Sequence, residues 1–175
     1  MKKATLIKII IIIVLVIGIV VYLNLMNKKA SNNTIYLKEK NVKIKIDNSR
    51  SLNDELGREE SDYKTFTIKA DKINSNTANY EIYVKQINST NSINERYVKL
   101  YLEDSNNKRP LLSKPLIFGN LKTADNDLEA RQLYKGSIIK NQDIKLNIRM
   151  WLADTYTVNN TNKNFEVLVG VSIIK

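Results

Sequence analysis

Histidine and cysteine are both absent from the 175 residues. Without them there can be no Ser-His-Asp triad, no Cys-His pair and no histidine- or cysteine-based zinc site. No disulfide can staple the chain, so any fold must rest on its own hydrophobic core. Proline occurs twice, glycine five times and tryptophan once. There is no Gly-rich loop of the kind that cradles phosphates. What remains for chemistry is carboxylate, lysine, tyrosine and hydroxyl side chains. They form no recognisable catalytic, metal or cofactor motif, so the chain is read as a non-enzyme.

Isoleucine, lysine and asparagine are abundant, asparagine alone reaching 23. All three have A/T-rich codons, which points to an A/T-rich genome and, with the absent cysteine, to a Gram-positive-type bacterium. The formal net charge is +10. Half of it comes from Lys2, Lys3, Lys8, Lys28 and Lys29, because the first acidic residue is Glu39. The remaining balance is modest. It could favour anionic polymers or lipid headgroups, but a lysine-biased solvated surface is the simpler reading.

The one long apolar run lies at the N-terminus. Ile9 to Met26 carries no charge, and its only strongly polar side chain is Asn24. Eighteen helical residues span about 27 Å, close to the roughly 30 Å hydrocarbon core. The run is longer than the h-region of a signal peptide, and the one plausible cut, after Ala30, has Lys28 where a small residue belongs. Residues 1–29 are therefore expected to be an uncleaved anchor, with residues 4–26 in the membrane. A long signal sequence is the alternative. The basic N-terminus is expected in the cytoplasm and the rest outside, in a single-pass arrangement at the cell membrane.

Residues 30–40 read as a linker, and 41–175 as one extracellular domain. Alternation of apolar and polar residues recurs through it, the mark of strands with one face on a core. It runs through NVKIKID, YKTFTIKAD, YEIYVKQI, YVKLYLE, DIKLNIRMWLAD and NFEVLVGVSII. Seven to nine such strands predict an all-β fold, an antiparallel β-sandwich that is jelly-roll-like. The acidic stretch 51–62 is expected to be an exposed loop, 111–118 a loop or edge strand, and 121–135 a short helix with Leu128 and Leu133 inward. An Asn-Gln turn is expected at 141–142.

In the strand around the tryptophan, Ile144, Leu146, Ile148, Met150 and Leu152 form the inward row. Trp151 and Arg149 fall on the other face, as do Tyr83 and Tyr101 in their strands. These four are the candidate partner contacts. The carboxylates at 54–62 and 125–129 lack calcium-loop spacing and read as solvated. The interleaved tyrosines and lysines read as cross-strand pairs, so no nucleic-acid partner is expected.

The closing strands resemble those of the TasA and camelysin-type proteins of Firmicutes. Ile148, Arg149, Met150, Trp151, Leu152 and Asp154, then Asn162, Lys163, Phe165, Val167 and Val169, carry the resemblance. It implies an extracellular matrix or fibre-forming protein assembled by strand donation. Those proteins usually have a cleavable signal peptide, which this N-terminus does not resemble. The expected function is thus surface structure or protein–protein contact, by strand addition at edges such as NVKIKI and VLVGVSI. An adhesin-like domain for carbohydrate or anionic polymer is the alternative.

On cell fractionation, carbonate-washed membranes should retain the full chain, and protease added to intact cells should remove the domain. A protease-resistant chain recovered in the cytosolic fraction would overturn the anchored reading.

Overall fold

A computed structural model describes residues 15–19, 34–88, 90–159 and 162–174. The chain divides into two units, residues 1–33 and 34–175. In the first, residues 15–19 are helical. Among the described residues no helix is long and apolar enough to cross a membrane. The remainder of the expected span, 4–26, lies outside them.

The second unit is all-β, with two mostly antiparallel sheets packed as a sandwich. The larger sheet has β1 (Thr34–Leu37), β4 (Tyr63–Lys72), β9 (Asp143–Ala153), β6 (Val98–Asp104) and β7 (Leu116–Ile117) in that order. Strand β3 (Ser51–Leu52) runs parallel to the end of β9. The smaller sheet has β2 (Lys43–Asp47), β10 (Asn164–Ile173), β5 (Thr77–Gln86) and β8 (Arg131–Ile139). Three successive pairs, β1–β2, β4–β5 and β9–β10, each step from the larger sheet to the smaller one.

The predicted inward rows meet between the sheets. Phe66 and Ile68 of β4, Leu100 and Leu102 of β6, and Leu146, Ile148 and Met150 of β9 are buried. They face Ile82 and Val84 of β5 and Phe165 and Val167 of β10, all buried in the same cluster. Phe118, from a single 3₁₀ turn at Phe118–Asn120, meets Phe165 edge to face at 5.0 Å. The strand rule works here because side chains alternate strictly across a pleated backbone. Asn141 occupies the expected turn between β8 and β9 with φ 63°, a conformation that asparagine tolerates better than most residues.

Five expectations are corrected. The described residues form ten strands, because β3 and β7 are two residues long and leave little periodic signal. Strand β1 lies inside the expected linker and pairs with β4. Residues 54–60, expected as loop, form helix α1 (Asp54–Glu60). Its signals are local: the Asn53 side chain accepts the Leu56 N–H, and Asp54 and Glu55 sit in the first turn. The segment 121–135 is not helical. Asp127 Oδ1 accepts the Glu129 N–H in a turn, Leu128 is 88 % exposed, and β8 follows, laddered along β5. Lastly, β10 is no edge, since β2 and β5 flank it.

Phe165→Ala should lower unfolding free energy by about 3–5 kcal/mol, while Lys45→Ala on the adjoining ladder should change it by less than about 0.5 kcal/mol. Denaturant titration of the full chain in detergent reads both.

Candidate functional site

The residues expected to meet a partner belong to the outward faces of the sheets, and most of them are already covered. On the larger sheet, Tyr101 stands opposite Arg149 and Lys99 opposite Trp151. On the other side of β9, Tyr63 stands opposite Arg149 and Thr65 opposite Asn147. Trp151 is on the predicted face, but only 2 % of it is exposed. Helix α1 roofs it. Gly57 sits so close to the indole that a Cβ there would overlap it. Leu52, Tyr101 and Trp151 form a second apolar cluster, with Leu56 and Leu112 packed against it.

Beside this cluster runs a buried polar row. Arg149 donates from its guanidinium to the Ser61 carbonyl, lies over the Tyr63 ring at 4.8 Å, and has Nε 3.5 Å from Glu103 Oε1. Thr65 donates to Asn147 Oδ1 at 2.8 Å. Arg149 and Tyr101 are both buried, so these two and Trp151 do not offer a free surface. Their first role is to seat α1 on the sheet. The Trp151 Nε1–H is buried without a hydrogen-bond partner among the described residues.

Tyr83 stays half-buried on the outer face of the smaller sheet. Gly170 stands directly opposite it on β10, and a Cβ there would overlap the Tyr83 ring. An aromatic ring laid over a strand glycine restores the packing the glycine lacks. Of the four candidates, Tyr83 alone reaches solvent appreciably.

Sequence reasoning missed Glu81. It points outward from β5 yet is fully buried. The Asp125 backbone N–H, Gln132 Nε2 and Ser172 Oγ all donate to its carboxylate, at 3.0–3.1 Å. These bonds hold the 121–130 segment onto the smaller sheet. Lys85 reaches Asp127 and Glu129 across the same face. The Glu129 backbone N–H, followed by Lys85, holds the Asp127 carboxyl below the usual range. No sequence period could signal Glu81, because its partners come from a loop 44 residues away, from β8 and from β10.

The two acidic clusters behave as surface ion pairs. Asp54 meets Lys99, Glu60 meets Arg50, and Asp125 meets Lys135. Among the described residues, no group of three or more carboxylates converges as a metal site.

Several openings remain, and two of them adjoin the edge strands of the smaller sheet. One is a cavity of about 240 Å³ beside β2, where Lys45 and Asp47 face Arg50, Glu60 and Trp151. Among the described residues, nothing pairs with the outer edge of its neighbour β2. The Val169 N–H donates to the Val42 carbonyl, so Val42, Ile44 and Ile46 direct their backbone groups toward β10. By alternation, those of Lys43, Lys45 and Asp47 point away from it. The other opening is a polar cleft of about 630 Å³ between the β8–β9 hairpin and the loop after β6. Tyr80 and Tyr134 line its deep side, with ring centroids 6.4 Å apart. Burial, and then Tyr134, push the Tyr80 phenol up to about 12.

The geometry therefore defines an all-β sandwich with a β2 edge that no described residue pairs and with a polar cleft. No family model matches the chain, no curated protein is detectably similar to it, and no solved structure matches it.

Gly57→Ala should destabilise the domain although alanine is the better helix former. The helix gains about 1 kcal/mol, but the new methyl strikes the indole, and overpacking costs about 1–3 kcal/mol. Trp151 is the sole tryptophan, so its emission should shift to the red as α1 lifts. An unchanged spectrum with a raised Tm would refute the close contact.

Proposed function

We propose that this protein is a membrane-anchored extracellular sandwich that acts in surface structure or protein–protein contact. Residues 4–26 hold it in the membrane, with the N-terminus cytoplasmic and the domain outside. It works without catalysis. The three sheet-to-sheet steps support reading the sandwich as jelly-roll-like, and the resemblance of 148–169 to TasA-type proteins supports a matrix or fibre role.

One observation carries the contact surface: the unpaired backbone edge of β2, which adjoins a cavity. A strand added there would use the N–H and C=O groups of Lys43, Lys45 and Asp47. Its side chains would find the cavity lined by Leu52, Met150 and Leu152 beside the edge. Lysines on an edge normally deter promiscuous pairing. Here Lys43 and Lys45 would select a partner strand that carries acidic residues. Strand β10 is flanked on both sides, so β2 takes over the role that both terminal strands were expected to share.

The second reading is a cell-surface binding domain for carbohydrate or anionic polymer. The polar cleft favours it, because its size falls in the range of small-ligand sites.

Lys45→Pro removes an N–H that faces away from β10, so it should leave the fold intact and abolish self-association or partner capture. Ile44→Pro removes a ladder bond and should cost about 3 kcal/mol or more. Sedimentation of the full chain in detergent, with thermal melts, separates the two. Association that survives Lys45→Pro would exclude β2 as the contact edge.

A further inference from the structure

The two ends of the sandwich differ in charge. At one end lie the β4–β5 turn, the β8–β9 turn and the loop after β6. The Lys140 N–H donates to the Asn76 carbonyl and the Asn141 N–H to the Ala70 carbonyl, which ties the two turns together. The loop after β6 is held beside them, because the Ser105 N–H donates to the Lys145 carbonyl of β9. Strand β1 starts at this same end, where Thr34 stands opposite Lys72.

These three connections, 72–76, 105–109 and 139–142, carry Lys72, Lys108, Arg109 and Lys140 and no acidic residue. All four basic residues are exposed. Lys72 lies over the Tyr36 ring at 5.1 Å. Among the described residues, the other three side chains have no ion pair or hydrogen bond. The neighbouring carboxylates are occupied. Asp71 accepts from the Tyr36 hydroxyl at 2.9 Å, Asp104 from the Asn106 N–H at 2.8 Å, and Asp143 pairs with Lys69 at 2.6 Å. Ile139 adds an apolar side chain that is 59 % exposed. At the other end, Ser51 and Leu52 pair with the close of β9 and Asn164 pairs with Asp47. The connections there, 48–50, 53–62, 87–97 and 154–163, carry seven acidic and four basic residues.

Chain length selects which end meets a lipid surface. Eight Cα steps separate Met26, the last residue of the expected span, from Thr34. They reach at most about 29 Å. Strand β9, with eleven residues, is about 36 Å long. Seating the acidic end on the bilayer would lift Thr34 beyond that reach. A second copy stacked end to end, basic end on acidic end, does not fit between the bilayer and Thr34 for the same reason. A lipid surface does fit, and the basic end is the one suited to anionic headgroups.

We propose that this end of the sandwich seats on anionic lipid headgroups, with Lys72, Lys108, Arg109 and Lys140 on the phosphates and Ile139 at headgroup depth. The proposal rests on the anchored reading above and adds a second, electrostatic attachment to it. It is independent of the β2 edge.

Because the chain has no cysteine, one introduced thiol carries a fluorophore at one place. Ile139→Cys labels the basic end and Thr157→Cys the acidic end. The full chain is reconstituted in nanodiscs of phosphatidylcholine, with or without phosphatidylglycerol, containing a headgroup nitroxide quencher. On phosphatidylglycerol discs the label at 139 should be quenched at least about twofold more than the label at 157, and added salt should reduce the difference. Lys72→Gln, Lys108→Gln, Arg109→Gln and Lys140→Gln together should remove the excess, with Trp151 emission and Tm unchanged. Should that variant lower Tm, Lys108→Gln with Lys140→Gln carries the comparison and should at least halve the excess. Equal quenching at the two positions, equal quenching at 139 on neutral discs, or an unaffected variant would each overturn the proposal. Binding of inorganic polyphosphate at these loops without quenching on the anionic discs would reassign them to a soluble polyanion and overturn it too. A chain that never enters the discs refutes the anchor instead, so the two failures are distinguishable.

Discussion

Strand β9 is buried on both faces, and most of the domain is arranged to permit this. Its inner row, Leu146, Ile148, Met150 and Leu152, supplies the centre of the core. Its outer row, Asn147, Arg149 and Trp151, would ordinarily face water in a sandwich. Each of these residues is instead covered: Trp151 by α1, Arg149 by Tyr63 and the Ser61 carbonyl, Asn147 by Thr65 and Glu103. The close approach of α1 depends on the missing side chain at Gly57. A single strand thus ties together the core, the helix and two flanking strands, β4 and β6.

Such an arrangement buries charge. Arg149 and Glu103 on one sheet, and Glu81 on the other, lie where desolvation is costly. Glu81 is the better satisfied, with backbone, amide and hydroxyl donors converging on one carboxylate. It specifies where the 121–130 segment must lie, since any other path would strand the carboxylate without donors. The outer faces are therefore organised by polar groups, while the interior is organised by volume alone.

What is left for function follows from what the covers do not reach. The 121–130 segment covers part of the smaller sheet, and α1 covers part of the larger one. Neither reaches the open side of β2 or the polar cleft beside β8. The two places differ in chemistry. The β2 edge offers backbone groups in a row, suited to an extended chain. The cleft offers polar side chains of both signs beside two tyrosines, suited to a compact polar ligand rather than an extended chain. The two places draw on different residues.

The inward rows of β2, β4, β5, β6, β9 and β10 were legible in the sequence, as was the turn at Asn141. Period-two alternation is a local property of the strand and survives any tertiary arrangement. The face of Trp151 was legible for the same reason, but its exposure was not. Whether an outward residue meets water depends on what folds over it, and α1 comes from a stretch whose apolar residues, Leu52 and Leu56, are too few to announce a buried face. Leu133 was legible as an inward residue, whereas the helix expected around it was not formed. Turn chemistry at Asp127 and the long ladder with β5 outweighed weak capping signals. Strand order is the clearest tertiary decision. The sequence by itself determined which residues would be apolar rows, and that the fold must stand without disulfides. Only the structure decided that β10 lies inside its sheet and β2 at the edge, because pairing joins strands more than a hundred residues apart and leaves no trace in local pattern.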